Sequence, residues 1–549
     1  MTDPGFTPWP AEFVERYVEA GYWGSETLGG LLRGWAARSP GDVALVCGPR
    51  RLTYAELDAA ADAMAAGFGA RGFGPGDHVV VQLPNVAEFV VALFALLRLG
   101  AIPVLTMPAH RRAEIVHVAQ VSEAVACLVP NRHEGFDHVA LAEQVRREVP
   151  SVRSVFVRGE PGASVSSVSS VSFGGFEDLA DVPVPGARVD DAASAEDVAL
   201  LLMSGGTTGR PKLIPRTHRD YAYNLRAAAQ VCGLTERDVY LAVLPIGHNL
   251  PLACPGVLGT LSAGGTAVLA PAPSPDVAFG LVERERVTVS SVVPPLARLW
   301  VEAAPQDGRD LSSLDRLMVG GARLDVGTAD RVQEVLGVRL IQSLGMAEGL
   351  LTQTRPEDPP EIVRSTQGRP MSPADEIRVL DEAGHPVPAG EVGELWTRGP
   401  YTLRGYYRAA EYNRLAFDDE GFYRTGDLVR VLPGGHVVVA GRVKEVINRG
   451  GENVSATELE EELLGHPAVA AAAVFPLLDD DLGETVCAAV VLRPATPRPP
   501  KLKELKAYLR ERGLARFKHP DRLLLVDTLP LTGVGKVDKK ALAQSAARV

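Results

Sequence analysis

An apolar run that stops at a glycine-rich turn constrains this 549-residue chain more than any other feature. Residues 198–203 read Val-Ala-Leu-Leu-Leu-Met, and Ser204 then begins a glycine- and threonine-rich segment that ends at Lys212. The run predicts a buried strand, and the glycines allow the backbone after it to curl. Successive backbone N–H groups in such a loop form an anion nest, and Arg210 and Lys212 add positive charge beside it. The segment predicts a phosphate-binding loop.

The candidate phosphate ligands in this loop offer backbone N–H groups, hydroxyls or an ammonium group. They are Ser204, Gly205, Gly206, Thr207, Thr208, Gly209 and Lys212. An ordinary surface turn is the alternative, but this many glycines, hydroxyls and cations directly after a strand of buried type favour nucleotide phosphate binding. A Walker loop ends in Gly-Lys-Ser/Thr, whereas residues 210–213 read Arg-Pro-Lys-Leu, so the sequence disfavours a P-loop kinase or ATPase.

Length, charge and cysteine usage narrow the class of protein. A chain of 549 residues is too long for one core, so a large domain with one or more smaller ones is expected. The net charge of −12 argues against sequence-independent binding of nucleic acid or of an anionic membrane. Five scattered cysteines without a CxxC pair predict neither a disulfide framework nor a zinc site, and the N-terminus does not resemble a signal peptide. We expect a cytoplasmic protein with no nucleic-acid or membrane partner.

Strand-like and helical stretches alternate along most of the chain, which predicts a layered α/β domain. The predicted helices cover residues 55–70, 86–99 and 224–232, and the predicted strands cover 78–82, 125–129, 152–157, 240–243, 287–293, 316–319 and 339–343. Residues 162–175 form a Ser/Val-rich run that reads as a solvated loop or an edge strand.

The predicted pattern of secondary structure changes twice in the C-terminal third. From residue 376 the stretches 377–380, 394–397 and 435–440 predict a compact antiparallel barrel or sheet. From about residue 445 a helix at 459–464, strands at 468–476 and 485–492 and a basic amphipathic helix at 501–512 predict a small α+β domain.

Several motifs, taken in order, resemble those of the acyl-adenylate-forming enzymes, and within them the stand-alone aryl-acid adenylating enzymes of siderophore and peptide-antibiotic assembly. The motifs are residues 52–57 (LTYAEL), 204–212, 345–349 (GMAEG), 393–396 (GELW), 423–427 (YRTGD), 441–442 with 448–453 (NRGGEN), and 529–536 (LPLTGVGK). The resemblance spans nearly the whole chain. It implies an N-terminal adenylation core of residues 1–443, made of layered α/β subdomains and a small β-rich one. A small mobile α+β domain of residues 445–549 follows a hinge at Lys444.

The resemblance also implies the chemistry, in which a carboxylate attacks the α-phosphorus of ATP and pyrophosphate leaves. Catalysis of such a step is mainly positioning and charge neutralisation. Lys536 is implied as the catalytic lysine, Asp427 and Arg442 as ribose ligands, and Glu348 as the residue that faces Mg²⁺. Further ATP contacts are implied for Gly320, Gly321, Ala322, Gly345 and Met346. Taken alone, Lys536 would be read as one more surface lysine.

The segment from residue 247 to 256 is implied to form the acyl pocket. His248 is assigned to both the catalytic and the substrate-binding set, and Asn249 is implied to bond the ortho hydroxyl or the carboxylate of a hydroxybenzoate. Cys254, at a position where dihydroxybenzoate enzymes carry Ser, and Leu351, where they tend to carry Val, both favour salicylate. Leu250 replaces an aromatic residue and suggests a methyl-bearing acid such as 6-methylsalicylate, with Gly321 at the edge of the same pocket.

The second half-reaction is implied to pass the acyl group to the phosphopantetheine thiol of an aryl carrier protein. In similar enzymes the C-terminal domain rotates, withdraws the catalytic lysine and brings in the loop that here spans residues 448–453. Three alternatives remain open: a 2,3-dihydroxybenzoate-AMP ligase, an aryl- or acyl-coenzyme A ligase of the same fold, and a non-catalytic nucleotide-binding regulator.

Overall fold

A computed structural model describes residues 5–159, 176–204, 210–321, 323–324, 326–381, 383–443, 446–493, 496, 498–530 and 537–546. The first part of the chain alternates helices and strands, as predicted. Its elements are α1 (Ala11–Glu19), α2 (Leu28–Arg38), β1 (Val43–Cys47), β2 (Arg50–Thr53), α3 (Tyr54–Ala70), β3 (His78–Val81), α4 (Ala87–Arg98), β4 (Ile102–Leu105), α5 (Arg112–Ser122), β5 (Ala126–Pro130), β6 (Arg132–His133), β7 (Phe136–Asp137), α6 (His138–Glu148), β8 (Ser154–Arg158), β9 (Phe176–Asp178) and β10 (Val198–Met203).

The alternation continues after residue 210. The elements here are β11 (Leu213–Thr217), α7 (His218–Val231), β12 (Val239–Ala242), α8 (Asn249–Ala253), α9 (Gly256–Ser262), β13 (Thr266–Leu269), α10 (Pro275–Glu285), β14 (Val289–Val292), α11 (Pro294–Asp307), β15 (Arg316–Val319), α12 (Val326–Leu336), β16 (Arg339–Gly345), β17 (Leu351–Gln353), α13 (Pro360–Ser365) and β18 (Arg369–Pro370).

The last third is richer in strands. It contains β19 (Glu376–Leu380), β20 (Gly393–Arg398), α14 (Ala410–Ala416), β21 (Tyr423–Val431), β22 (Val437–Arg442), β23 (Val446–Arg449), β24 (Glu452–Ser455), α15 (Ala456–Leu464), β25 (Val469–Asp479), β26 (Gly483–Leu492), α16 (Leu502–Glu511), β27 (Arg522–Leu525) and α17 (Lys539–Ala546). The low-complexity run predicted as a loop or edge strand, residues 162–175, lies outside the described residues.

Two mixed sheets form most of the large domain. Of the described strands, nine follow the order β18-β17-β16-β15-β14-β12-β13-β1-β2 and seven follow the order β11-β10-β4-β3-β5-β8-β9. The central strands of both sheets are parallel. Parallel strands are joined through helices that cover the sheet faces, which explains the nearly continuous apolar runs of β3, β4 and β10. The predicted layered α/β architecture is confirmed.

Local sequence signals account for where two long helices begin. Helix α3 starts at a capping box in which the Thr53 hydroxyl accepts the Glu56 N–H at 3.2 Å and the Glu56 carboxylate accepts the Thr53 N–H at 2.8 Å. Helix α7 starts at the equivalent pair Thr217 and Asp220. Such boxes satisfy N–H groups that the first helical turn leaves without partners.

The β-rich region and the C-terminal α+β region form separate sheets. In the described chain, β19, β20, β21 and β22 make an antiparallel sheet of four strands, so the predicted barrel or sheet is a sheet. Strands β24, β23, β26, β25 and β27 make the last sheet, and α15 and α16 pack on it through Leu459, Leu463, Leu505 and Leu509. The chain passes from one sheet to the other between Arg442 and Val446.

Candidate active site

The predicted phosphate loop joins two paired strands. Strand β10 ends at Met203, which pairs with Leu213 at the start of β11, so residues 204–212 connect the two strands of a hairpin. The Ser204 N–H donates to the Lys212 carbonyl at 2.8 Å, and the Lys212 N–H donates to the Ser204 hydroxyl at 3.0 Å. Gly205, Gly206, Thr207, Thr208 and Gly209 lie outside the described residues. The two ends of the loop are therefore fixed at the carboxyl end of a parallel strand, where α/β sheets bind ligands.

The structure brings Lys212 and Glu348 to the same tyrosine. The Lys212 ammonium lies 3.8 Å from the Tyr412 ring centroid and 5.6 Å from that of Tyr406. The Tyr406 hydroxyl donates to the Glu348 carboxylate at 2.8 Å and lies 2.8 Å from the Tyr423 hydroxyl. Burial holds the pKa of Tyr406 well above its usual range, so its hydroxyl stays a donor. A cation and a carboxylate thus both lie beside the Tyr406 side chain.

Asp427 and Arg442 lie opposite each other on two adjacent strands. They are paired residues of β21 and β22, and the Asp427 side chain is buried. The Asp427 N–H donates to the Thr425 hydroxyl at 3.0 Å, which fixes the turn that precedes it. The structure describes the backbone of Arg442. The pairing agrees with the predicted neighbourhood of these two residues.

Four predicted nucleotide contacts lie where strands β15 and β16 end. Gly320 follows β15, and a Cβ atom there would lie 2.5 Å from the Ser343 hydroxyl, so only glycine fits without a shift. Gly321 has a φ of +85°, a conformation that favours glycine. Gly345 closes β16, and Met346 follows it at the end of this strand. Ala322 lies outside the described residues.

The predicted acyl-pocket residues come together in one apolar cluster. Leu250, Cys254 and Leu351 pack there with Met318, Ile341, Met371 and Tyr401. The Asn249 amide sits beside this cluster: its oxygen accepts the Tyr221 hydroxyl at 2.7 Å, and its nitrogen donates to the Cys254 sulfur at 3.3 Å. Burial raises the pKa of Cys254 to about 12, so the thiol is neutral. Cys254 therefore contacts the Asn249 amide directly as well as filling apolar space.

Two further tyrosines support this cluster, and sequence reasoning did not single them out. The Tyr401 hydroxyl accepts the Leu351 N–H at 3.1 Å and donates to the Asp375 carboxylate at 2.6 Å. Burial raises the pKa of Asp375 to about 7. Tyr221 orients Asn249, as described above. These partners are far apart along the chain, so no local sequence pattern predicts their contacts.

A second set of contacts joins the C-terminal region to this site. The Asn448 amide donates to the Gly321 carbonyl at 3.0 Å, and Gly451 packs against Val293. A cavity of about 80 Å³ is lined on one side by Met107, His110, Ser204, Gly247, His248, Asn249 and Ala347 and on the other by Gly451, Glu452, Asn453, Phe517 and Lys518. The loop at residues 448–453 therefore lies next to the predicted acyl pocket.

Titratable groups on the wall of this cavity are shifted by burial. His248 is the N-cap of α8, and its Nδ1 accepts the Leu250 N–H at 3.3 Å. Burial lowers the pKa of His248, so the imidazole is neutral, and the bond to Nδ1 leaves the proton on Nε2. Burial raises the pKa of the Glu452 carboxyl to about 6. With Nδ1 occupied by this bond, Nε2 is the ring nitrogen of His248 that is available to a ligand.

A larger cavity, of about 840 Å³, lies beside the first at the same interface between the N-terminal and C-terminal regions. Arg210, Lys212, His117 and Tyr412 line it from one side, and Glu458, Glu462 and Arg512 line it from the other. The cationic end of the hairpin loop faces this space.

Comparison with known proteins identifies the family. Residues 32–407 match the family model described as AMP-binding enzyme, and residues 458–536 match that of the AMP-binding enzyme C-terminal domain. The chain belongs to the AMP-binding enzyme family. The prediction of an adenylate-forming enzyme is confirmed, and an adenosine nucleotide is the ligand that AMP-binding enzymes share.

Relatives in this family resemble the chain over nearly its whole length. A 2,3-dihydroxybenzoate-AMP ligase from Bacillus subtilis is 50% identical over 541 residues, which cover 98% of this chain and 97% of the relative. A salicyl-AMP ligase / salicyl-S-ArCP synthetase from Mycobacterium tuberculosis is 48% identical and covers 98% of this chain and 94% of the relative. The two names give different acids at nearly equal identity, so overall identity does not discriminate between these substrates.

Solved structures confirm the predicted fold class. The apo structure of MbtA from Mycobacterium smegmatis is 48% identical, covers 98% of each chain and superposes with a TM-score of 0.75. The amide bond synthetase McbA from Marinactinospora thermotolerans is 27% identical, covers 95% of this chain and 99% of its own, and superposes with a TM-score of 0.82. The chain therefore has the adenylate-forming fold, with a large N-terminal and a small C-terminal domain. Within the described residues, no helix is long and apolar enough to cross a membrane.

Proposed function

We propose that this AMP-binding enzyme adenylates an aryl acid of the salicylate type and then transfers the aryl group to the phosphopantetheine thiol of an aryl carrier protein. One observation carries the proposal: Ser204, Asn249 and the loop at residues 451–453 line a single cavity. Ser204 opens the phosphate loop, Asn249 belongs to the acyl pocket, and the loop comes from the C-terminal region. The relatives named as salicyl-AMP and 2,3-dihydroxybenzoate-AMP ligases support the choice of acid.

The nucleotide is proposed to lie along the carboxyl ends of both sheets. Ser204, Gly205, Gly206, Thr207, Thr208, Gly209 and Lys212 would bind phosphate, and Asp427 and Arg442 would bind ribose. Gly320, Gly321, Ala322, Gly345 and Met346 would contact the adenosine. Their position at the carboxyl ends of β15 and β16 supports this, because α/β sheets bind ligands at that edge. Lys536 would neutralise the charge that spreads over the α-phosphate and the attacking carboxylate.

Glu348 is proposed to hold Mg²⁺ together with the ATP phosphates. The described residues contain no cluster of three or more His, Cys, Asp or Glu side chains that would cage a metal alone. Mg²⁺ usually binds one or two carboxylates plus substrate phosphates, so a single half-buried carboxylate near Lys212 fits this ion. When bound, Mg²⁺ would reduce the negative charge that the carboxylate must approach.

Asn249 and His248 are proposed to orient the aryl acid. The Tyr221 hydroxyl donates to the Asn249 oxygen, which fixes the direction in which the amide points. Nε2–H of the neutral His248 would donate to the carboxyl oxygen of the acid or to the carbonyl oxygen of its adenylate. Leu250, Cys254, Leu351 and Gly321 would form the apolar walls around the ring.

The proposed acid is tested by ATP–pyrophosphate exchange with salicylate, 6-methylsalicylate, 2,3-dihydroxybenzoate and benzoate. We expect the highest kcat/KM with salicylate or 6-methylsalicylate, because a neutral thiol and two leucines offer little to a 3-hydroxyl group. A clear preference for 2,3-dihydroxybenzoate would instead assign the chain to the other named ligase activity.

Cys254→Ser is expected to raise the use of 2,3-dihydroxybenzoate relative to salicylate by about fivefold, because a new hydrogen bond contributes about 1 kcal/mol. The measurement is the ratio of the two kcat/KM values in pyrophosphate exchange. Cys232→Ser is the control, since this thiol is also buried but contacts Gln353 instead of Asn249. An unchanged ratio in Cys254→Ser would mean that Cys254 is only a small buried apolar residue.

A coenzyme A ligase is the second candidate, because one relative that is 49% identical over 547 residues is named salicylyl-CoA synthase / salicylate adenylyltransferase. The two candidates differ in the thiol that consumes the adenylate. Single-turnover reactions with salicyl-AMP and either coenzyme A or a phosphopantetheine-loaded aryl carrier protein distinguish them. Faster reaction with the carrier protein supports the proposed function.

Gly451→Ala is expected to slow thioester formation about tenfold while pyrophosphate exchange changes less than twofold. Gly451 has a φ of +91°, and an added Cβ would lie 2.9 Å from Val293 Cγ1, so alanine disfavours the contact between the two regions. Gly483→Ala is a matched control: its φ is +74°, and an added Cβ would meet nothing within 4 Å. Equal effects of both variants on thioester formation would mean that backbone strain, and not the contact with Val293, is responsible.

A further inference from the structure

A buried ion cluster joins the N-terminal and C-terminal regions beside the cavity that contains His248. The Lys518 ammonium lies 3.0 Å from Glu114 Oε1 and 2.8 Å from Glu458 Oε2. The Lys518 and Glu114 side chains are 6% and 0% exposed, and Glu458 is 13% exposed. Glu114 is in α5, within the match to the large domain, whereas Lys518 and Glu458 both lie within the match to the C-terminal domain. The ion pair of Lys518 with Glu114 therefore crosses between the domains, whereas its ion pair with Glu458 lies within one domain.

The charges of the cluster are set by burial and by one another. Burial would lower the pKa of Lys518, but Glu114 and Glu458 outweigh this effect and raise it. Burial would raise the pKa of Glu114, but Lys518 outweighs this and the pKa is lowered. The neighbouring His110 contributes no charge near neutral pH, because burial lowers its pKa to about 4. The second oxygen of Glu114 accepts the Arg111 N–H at 2.9 Å. Lys518 is thus the cation that compensates the buried Glu114 carboxylate.

We propose that the Glu114–Lys518 ion pair is the positioning contact that holds the two domains in the arrangement required for thioester formation. The inference rests on the proposed function, because it assigns the cavity lined by His248, Asn249 and Lys518 to the second half-reaction. In this arrangement Lys518 compensates the buried Glu114 carboxylate, and separating the domains would remove that cation from Glu114. The pair therefore favours the arrangement in which the two domains are in contact at this cavity. It does so without touching the reacting atoms.

Two glutamine variants separate the bond between the domains from the bond within one domain. Glu114→Gln removes the charge that crosses the interface and leaves Lys518 paired with Glu458, so the C-terminal domain keeps its own ion pair. Glu458→Gln removes a charge of the same kind at the same lysine and leaves the bond to Glu114 in place. Both changes keep the size of the side chain and replace one carboxylate oxygen by an NH2 donor, so the two variants are matched in chemistry.

The first measurement compares the two half-reactions in the full chain, with salicylate and ATP for pyrophosphate exchange and phosphopantetheine as the thiol. We expect Glu114→Gln to slow thioester formation about tenfold and to change the rate of pyrophosphate exchange less than twofold. Glu458→Gln should change thioester formation less than threefold. Equal loss of both half-reactions in Glu114→Gln, or no loss of thioester formation, would overturn the proposal.

The second measurement does not depend on activity. The Ala113 N–H is in the first turn of α5, where intrahelical partners are missing, and it donates to the Gly513 carbonyl of the C-terminal domain at 3.4 Å. Hydrogen exchange at Ala113 therefore reports domain contact. We expect hydrogen exchange of the Ala113 amide to become at least fivefold faster in Glu114→Gln and to be unchanged in Glu458→Gln. Unchanged exchange in Glu114→Gln would refute the positioning role, whereas inactivity of the unaltered enzyme with every aryl acid would refute the proposed function alone.

Discussion

Lys536→Ala is expected to reduce salicylate-dependent ATP–pyrophosphate exchange about 100- to 1000-fold, which is the loss typical of removing one group that stabilises transition-state charge. Lys536 itself lies outside the described residues. The residues on either side of that gap, Leu529 and Val537, pack on the C-terminal sheet against Phe475 and Cys487. Lys536 lies within the match to the C-terminal domain and Ser204 and Lys212 lie within the match to the large one, so the proposed role of Lys536 requires the two domains to meet.

The same variant should retain most of the second half-reaction. When salicyl-AMP is supplied, the charge on the α-phosphate has already been accommodated, so thioester formation is expected to change less than fivefold. Lys539→Ala is the matched control, because Lys539 is nearby and forms an ion pair with Glu460 at 2.8 Å inside the same domain. Exchange activity in Lys536→Ala above half of that of the unaltered enzyme would remove Lys536 from the mechanism.

Lys444→Pro is expected to slow thioester formation about 100-fold and to leave pyrophosphate exchange within a factor of three. Arg442 ends β22, which pairs with β21 in the last sheet of the large domain, and Val446 begins β23, which pairs with β24 in the C-terminal sheet. Lys444, which lies outside the described residues, is one of the few residues between these two sheets. Proline fixes φ near −65° and restricts the residue before it, so it limits the rotation that a hinge must absorb.

Lys444→Ala serves as the control for this variant, because alanine removes the charge and keeps the backbone freedom. It is expected to change both half-reactions less than threefold. Rates for exchange and for reaction of salicyl-AMP with phosphopantetheine are measured on each variant. Equal losses in both half-reactions of Lys444→Pro would contradict the use of two domain arrangements.

Much of the fold follows from local sequence signals. The predicted strand at residues 198–203 is β10, and the predicted helix at 86–99 is α4, Ala87–Arg98. Helix α4 was predictable because its apolar run ends at Gly100, whose φ of +67° suits glycine at a helix end. The C-terminal domain was predictable because its helices carry apolar residues at helical spacing and its strands are bounded by glycine and proline.

The site was less predictable, because its geometry depends on partners that are distant in sequence. Asn249 was predicted from resemblance, yet the Tyr221 hydroxyl that orients it gives no local signal. The same holds for Tyr406 with Glu348 and for Lys518 with Glu114. The sequence alone does not predict the partner of a tyrosine or a lysine in these segments, because only the fold brings the two side chains together.

The most direct test of aryl-acid adenylation follows the carboxyl oxygen atoms of the acid. The purified chain is incubated with ATP, Mg²⁺, phosphopantetheine and salicylate labelled with ¹⁸O in both carboxyl oxygens, and the products are analysed by mass spectrometry. Attack of the carboxylate on the α-phosphorus followed by thiol attack on the carbonyl predicts one ¹⁸O atom in AMP and none in pyrophosphate. Unlabelled AMP, or label in pyrophosphate or inorganic phosphate, would contradict adenylation of the aryl acid.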